Sequence, residues 1–144
     1  MVSCTEFIWA YSELFKFIDE RHGKDDVVAL WQYLSDNFLG NLRDLVERRG
    51  AYGMAEYWGH TLPEEGADYT MTVREDFFQI VMHRCPSAEL LRGSPAEGYR
   101  DYCEHCEWLY PPILREFGWE TQVDYTDFRD GTCTFTMRRA GDGQ

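Results

Sequence analysis

The sequence predicts one α+β domain over residues 1–144, with a helical N-terminal half, then a hairpin, a helix and a second hairpin that form a four-stranded antiparallel sheet covered by helices. Two observations predict it. In the first half, apolar residues recur at the spacing of one helix face. After about residue 67, apolar and polar residues alternate, as in half-buried strands. Helices that are segregated from an antiparallel sheet define the α+β class.

Three or four helices are predicted before the sheet. The first begins at Ser3, which starts a capping-box pattern. The second begins near Asp25. Asn41 is predicted to cap the third, since a short polar side chain can accept hydrogen bonds from the free amides of the first turn. A shorter helix then follows and ends at Gly59, before a loop.

Each hairpin has its own turn signal. The alternation in DYTMTVRE leads through a tight turn at Glu75-Asp76 into FFQIVMHRC. The second hairpin pairs WETQVDY with CTFTMRR across the turn-rich segment TDFRDG. Between the hairpins, a capping pattern at Ser94-Pro95-Ala96-Glu97 predicts a helix that runs to about Leu109. Pro111-Pro112 must end this helix or begin a further turn.

Residue spacing assigns the candidate functional side chains to faces. His83 and Cys85 are two apart on a predicted strand, so we expect them to project together. The alternate set on this strand is predicted to face the core and consists of Phe78, Ile80 and Met82. On the predicted helix, Cys103 and Cys106 are three apart and share one side, with Glu107 beside them.

Composition narrows the range of partners. Acidic residues outnumber basic ones by 26 to 14, which gives a formal net charge of −12. Such a surface repels phosphate groups, so neither nucleic acid nor an anionic membrane is an expected partner. Apolar runs are too short to span a membrane, and the start MVSCTEFIWAYSELF lacks the features of a secretory signal. A cytoplasmic protein with a small-molecule substrate is therefore predicted, and a homo-oligomer is left open.

The chain has five cysteines, an odd number without an export signal, so reduced thiols are expected rather than disulfides. The sheet and the helix between the hairpins can bring together Cys85, Cys103, Cys106 and Cys133. Three interpretations stay open. The four thiols can bind zinc tetrahedrally, one of them can act as a nucleophile beside a histidine, or they can be small buried hydrophobic side chains.

Short motifs in the C-terminal half resemble a known family. Cys85-Pro86 follows a strand, Cys103 lies on a predicted helix, and GTCTF at residues 131–135 lies on the last strand. In these features the chain resembles the 2-aminothiazoline-4-carboxylate hydrolase-like family. The resemblance covers about the last 75 residues and is only architectural before them. The chain departs from the family pattern at Cys106 and Thr134, where that pattern has aspartates.

The resemblance implies a hydrolase that acts on a C–N bond of a small cyclic amidine. Cys103 or Cys85 would attack the amidine carbon, and His83 or His105 would take or relay the proton. Glu107 would hold the cationic substrate. Two alternatives are a non-catalytic zinc-stabilised sensor or binding domain for a small molecule, and a biosynthetic lyase or cyclase on the same scaffold.

Overall fold

The structure is a computed structural model that describes residues 4–94, 97–127 and 131–141, except for the side chains of residues 4, 5, 126 and 127. Four helices come first, namely Cys4–His22 (α1), Lys24–Asn37 (α2), Gly40–Arg49 (α3) and Ala51–Glu65 (α4). The strands are Asp68–Arg74 (β1), Phe77–Arg84 (β2), Trp119–Asp127 (β3) and Thr132–Arg139 (β4). Between the hairpins lie a 3-10 turn at Tyr102–Glu104 and three short helices, Pro86–Arg92 (α5), His105–Leu109 (α6) and Pro111–Glu116 (α7). Among the helices described, none has both the length and the apolar content needed to cross a membrane.

The strands form one antiparallel sheet in the order β1-β2-β4-β3, which confirms the predicted α+β architecture. The first hairpin turns at Glu75-Asp76 as predicted, whereas residues 128–130 of the second turn lie outside the described residues. Because β4 pairs with β2, the two hairpins share one sheet. The register places Cys133 between Met82 of β2 and Tyr125 of β3. Residues from both hairpins therefore meet in one row.

One face of the sheet packs against α3, α4 and α7. Phe78 and Ile80 are buried there and Met82 packs at the edge of the cluster, which confirms the predicted core face of β2. Trp58 of α4 stacks on Phe78, with ring centroids 5.5 Å apart. Burial of such aromatic pairs contributes both apolar area and ring contact energy to the core.

A second apolar cluster joins α1 and α2 to the connection between the hairpins. Phe15 of α1 meets Trp31 of α2 edge to face, with ring centroids 5.4 Å apart. Phe15 also contacts Tyr99 and Tyr102, at centroid distances of 6.0 and 5.8 Å. The α1–α2 pair thus fixes the segment that leads into α6.

Two predicted helix boundaries are wrong. Helix α4 does not end at Gly59 but continues to Glu65, because Leu62, one turn beyond Trp58, packs into the core and extends the apolar stripe. Helix α3 begins at Gly40 with Leu39 as its N-cap residue, so the predicted cap by Asn41 is wrong as well. The predicted cap at Ser3 lies outside the described residues.

The long helix predicted from Ser94 to Leu109 is also wrong. Pro95 and Ala96 lie outside the described residues, and residues 97–101 are not helical. The backbone amide of Tyr99 donates instead to the hydroxyl of buried Ser12 in α1, at 2.8 Å. A tertiary contact therefore takes the amide that a helix would have used internally. Helix α5, which the sequence analysis did not predict, precedes this segment.

Contact between α3 and α4 gives a first testable prediction. Gly53→Ala should destabilise the fold by about 1–3 kcal/mol, because a Cβ there would lie 2.1 Å from the backbone oxygen of Leu45. Gly59→Ala is the control on the same helix, since nothing lies within 4 Å of the place that its methyl group would occupy. It should stabilise the helix by up to about 1 kcal/mol. Urea unfolding measures the stability of both variants. Equal effects of the two substitutions would contradict the close approach of Gly53 to the Leu45 backbone.

Candidate functional site

Four cysteines border one cavity of about 200 Å³. They come from three segments of the chain and are Cys85, Cys103, Cys106 and Cys133. The rest of the wall comes from α4, the sheet and the segment between the hairpins. Its aromatic residues are Tyr57, Trp58, Tyr102, Tyr110, Tyr125 and Phe135. Pockets for drug-sized ligands begin at about 300 Å³, so this cavity suits a small molecule.

Cys85 reaches the cavity because it lies one residue beyond β2, as the N-cap residue of α5. Gly131, just before β4, packs directly against it. At Gly131 φ is +66°, and a Cβ would lie 2.8 Å from Cys85 Cβ and 2.6 Å from Ala88 Cβ. Only glycine meets both conditions without strain. The contact brings Cys133, two residues further on, beside the start of α5.

Cys103 and Cys106 lie on the 3-10 turn and on the first turn of α6. Other elements hold this segment at both ends. The hydroxyl of Tyr125 in β3 donates to the Cys103 carbonyl at 3.1 Å. The hydroxyl of Ser35, buried in α2, donates to the Leu109 carbonyl at 2.7 Å. The two thiols are therefore positioned by the sheet and by α2, not by one continuous helix.

His105 contacts Cys106 inside the cavity. His105 Nδ1 bonds to the carbonyl oxygen of Tyr102, and because a carbonyl only accepts, Nδ1 carries the proton. The other ring nitrogen, Nε2, is then an acceptor, and it lies 3.6 Å from Cys106 Sγ. Burial lowers the pKa of His105, only partly opposed by the Tyr102 carbonyl and by Glu65. The arrangement is a neutral imidazole that accepts a hydrogen bond from a thiol.

The cavity thiols are protonated near neutral pH. Burial raises the pKa of Cys103, Cys106 and Cys133 to about 12, and negative charge on neighbouring groups adds to the shift. Burial raises the pKa of Cys85 too, although backbone amides at the start of α5 favour its thiolate and offset part of the rise. A thiol here needs either a base or a nearby cation before it can act as a nucleophile.

Glu65 supplies a carboxylate to the cavity. It is the last residue of α4, and although the residue is exposed as a whole, its carboxyl lies against the cavity. Burial raises the pKa of this carboxyl, and His105 lowers it in part. No lysine or arginine is found among the described lining residues. A carboxylate with aromatic walls and no competing cation favours a positively charged ligand.

Two predicted catalytic residues lie outside the cavity lining. His83 is exposed on β2, and its Nε2 lies 2.8 Å from Thr70 Oγ1. It does not share a face with Cys85, because Cys85 lies beyond the strand end, where the alternation of faces stops. Glu107 borders a separate groove together with Asp36, rather than sharing a side with the two helix cysteines. Burial, then the charge of Glu104, raises the pKa of Glu107.

Sequence reasoning missed Glu65 and the tyrosines of the cavity wall. The predicted end of α4 at Gly59 puts Glu65 in a loop. The spacing of Trp58 and Leu62 was the available signal that the helix continues and carries Glu65 to the cavity. The tyrosines gave no comparable signal, since aromatic residues on helices and strands most often serve the core.

The predicted zinc site needs four convergent thiolates. In the part of the chain that the structure describes, no group of three or more His, Cys, Asp or Glu side chains is placed to hold a metal ion. The four cysteines border the cavity without meeting at one point. Zinc binds thiolates in tetrahedral geometry. As arranged, these residues do not fit zinc, and zinc binding stays a prediction from the sequence.

Comparisons with known proteins add no identification. No family model and no curated protein matches the chain. The resemblance to the 2-aminothiazoline-4-carboxylate hydrolase-like family therefore stays a prediction.

The close contact at Gly131 is testable against a matched glycine. Gly131→Ala and Gly118→Ala both place alanine at positive φ, +66° and +82°. Only at Gly131 would the new methyl group meet neighbours, since nothing lies within 4 Å at Gly118. Gly131→Ala should therefore lower the free energy of unfolding by about 1–3 kcal/mol more than Gly118→Ala. Similar urea midpoints for the two variants would show that β4 does not pack against α5 as described.

Burial of the thiols predicts a loss of stability at alkaline pH. The pKa of Cys103, Cys106 and Cys133 is raised from 9.0 to about 12 in the folded protein. Between these values the unfolded chain has already lost thiol protons that the folded protein keeps, so stability is full below pH 9 and falls as pH rises above it. Urea unfolding at increasing pH measures the slope. Cys133→Ala should reduce it, and an unchanged free energy of unfolding across this window would contradict the burial.

Proposed function

We propose that this protein is a small-molecule hydrolase that cleaves a C–N bond of a cyclic amidine or a related nitrogen compound. The observation that carries the proposal is the contact of Cys106 with His105 inside a cavity that also holds Glu65. A nucleophile beside a base, with the base oriented by a third group, is the arrangement used in covalent hydrolysis. Here the third group is the Tyr102 carbonyl.

Glu65 would bind the substrate as a cation. An amidinium group presents two N–H donors in a plane, and a carboxylate can accept both. The tyrosine and tryptophan rings of the wall favour a cation further. The raised pKa of the Glu65 carboxyl means that a bound cation also stabilises its charged form. The small volume of the cavity restricts the substrate to a single small ring or a short chain.

Attack would begin from a neutral thiol, because burial keeps Cys106 protonated. The Sγ proton moves to Nε2 of His105 as sulfur bonds to the amidinium carbon. The electron pair of the C=N double bond moves onto nitrogen, so the positive charge of the substrate is neutralised as the imidazolium forms. Proton transfer to a positioned base of this kind contributes about 10²–10⁴ in rate.

The later steps return the site to its starting state. His105 gives its proton to the departing nitrogen, the C–N bond breaks, and the carbon stays bound to sulfur as a thioimidate. A water then adds to that carbon as His105 takes one of its protons, and the C–S bond breaks with return of the proton to Cys106. One water is consumed in total. In this scheme Cys106 takes the role first expected of Cys103 or Cys85, and Glu65 takes that expected of Glu107.

Paired cysteine variants test the proposal. With 2-aminothiazoline and related small amidines as substrates, Cys106→Ala should abolish hydrolysis followed by NMR, since the attacking atom is lost. Cys103→Ala removes a thiol from the same cavity without touching His105, and it should retain most of the activity. Loss of hydrolysis in the second variant but not in the first would contradict the assignment of Cys106. No hydrolysis of any amidine by the unmodified protein would contradict the reaction class.

Calorimetry on the same compounds separates binding from chemistry. Glu65→Gln should weaken amidine binding by about tenfold to a hundredfold, because a charge-assisted hydrogen bond is lost. Glu64→Gln is the control, since its side chain is 66% exposed and does not line the cavity. Equal effects of the two substitutions would show that Glu65 does not select a cation.

A further inference from the structure

A second concave surface lies outside the cavity, and we call it the outer groove. Its volume is about 590 Å³, within the range of about 300–1,000 Å³ that is usual for small-molecule sites. Its wall comes from α2, α6, α7 and β3. Among the described lining residues, Val123 alone borders both the outer groove and the cavity. The outer groove is therefore a separate space, which the proposed hydrolase reaction does not use.

Charges of both signs line the outer groove. Asp36 of α2 and Glu107 of α6 supply two carboxylates, and Arg115 of α7 supplies a guanidinium. Helix α2 packs against α6, whereas α7 packs against β3. Nη2 of Arg115 donates to Thr121 Oγ1 in β3 at 3.4 Å, so the guanidinium is held on the side of that strand. The acidic and the basic groups thus come from different pairs of elements.

These three charges do not neutralise one another. In the part of the chain that the structure describes, Asp36, Glu107 and Arg115 form no ion pair with one another or with any other side chain. Arg43, whose guanidinium reaches the same part of α2, is already paired with Glu116. The outer groove therefore presents opposite charges that are available to a ligand.

The surroundings of Glu107 favour a cation beside it. Burial, then the negative charge of Glu104, raises the pKa of the Glu107 carboxyl. Lys24 does not neutralise Glu107, because it pairs with Glu104 and with Asp101. A cationic group bound beside Glu107 would oppose both causes of the rise, since it stabilises the charged form of the carboxyl.

The rest of the wall is partly apolar. Trp108, Pro111, Pro112 and Val123 are buried or half-buried and line the outer groove. They offer a surface on which an aromatic or aliphatic side chain can pack. A ligand with positive charge alone would be repelled by Arg115. A ligand with negative charge alone would meet two carboxylates and a chain of formal net charge −12. A ligand that carries both charges and an apolar part meets neither obstacle.

We propose that the outer groove binds a zwitterionic small molecule of the α-amino acid type. Its ammonium group would donate to Asp36 and Glu107, its carboxylate would accept from Arg115, and its apolar side chain would pack on Trp108 and Pro111. A guanidinium can donate two parallel hydrogen bonds to a carboxylate, and an ammonium group has three donors to share between two carboxylates. Because the cavity is separate, this binding and the proposed hydrolase activity can each fail without the other.

NMR of the ¹⁵N-labelled full chain, titrated with L-phenylalanine, tests the site. The amide signals of Gln32, Trp108 and Thr121 should shift, with a Kd of about 1 mM or tighter. Phenylalanine amide lacks the carboxylate, and N-acetylphenylalanine lacks the ammonium group. Each should bind about fivefold more weakly, because one set of contacts between charged groups is lost. Unshifted signals at about 10 mM L-phenylalanine would overturn the proposal.

Exposed variants assign each contact. Arg115→Gln should bind phenylalanine and its amide with equal affinity, because the guanidinium that distinguishes them is gone. Asp36→Asn and Glu107→Gln should each reduce the preference for phenylalanine over N-acetylphenylalanine. The controls are Arg21→Gln and Asp25→Asn, which remove the same charges away from the outer groove, the second from α2 itself. Both controls should keep the preferences of the unmodified protein.

The result that contradicts the proposal differs for each part of the ligand. Equal binding of the three compounds by the unmodified protein would show that neither charge is recognised. Tighter binding of phenylalanine amide than of phenylalanine would show a site for cations only. Equal loss of preference in the groove variants and in the controls would show an effect of net charge. Each of these results would overturn the proposal, and far-UV circular dichroism checks that every variant is folded.

Discussion

The site depends on how the irregular segment between the hairpins is held. Lys24 of α2 pairs with Asp101 and with Glu104 at 2.8 Å each, at the start of this segment. Burial opposes the charge on Lys24, yet its two carboxylate partners raise its pKa overall. Together with the hydroxyls of Tyr125 and Ser35, these contacts fix a short 3-10 turn and a short helix against the sheet. Without them, the thiols of this segment would not be held against those of β4 and α5.

Desolvation then determines the chemistry of the cavity. Thiols, tyrosines and an imidazole are placed where water is scarce, and burial favours the neutral form of each. The cavity is therefore nearly neutral apart from Glu65. A thiol in such a site becomes nucleophilic only when a cationic ligand stabilises its thiolate or when a neighbouring base takes its proton. The contact between His105 and Cys106 provides the second of these, and a cationic substrate provides the first.

The sequence predicts the fold well because its periodicity is simple. Alternation identifies both hairpins, and the buried face of β2 follows from it. The four cysteines that the sequence singles out border one cavity. The errors have local physical causes. The capping pattern at Ser94 loses to a tertiary hydrogen bond from Tyr99 to Ser12. The face of Cys85 could not be predicted from strand alternation because β2 ends at Arg84. Glu65 is missed because the prediction ends α4 at Gly59, although the spacing of Trp58 and Leu62 indicates that the helix continues.

The protonation state of His105 is the most direct test of this account. Two-dimensional NMR of the imidazole nitrogens as a function of pH reports which nitrogen carries the proton and where the ring titrates. The account predicts a proton on Nδ1, a bare Nε2 facing Cys106, and a pKa below the ordinary value of 6.5. A ring that is protonated on Nε2 would contradict the account, because His105 would then be unable to accept the proton of Cys106, and a ring that titrates at or above 6.5 would contradict its burial in the cavity.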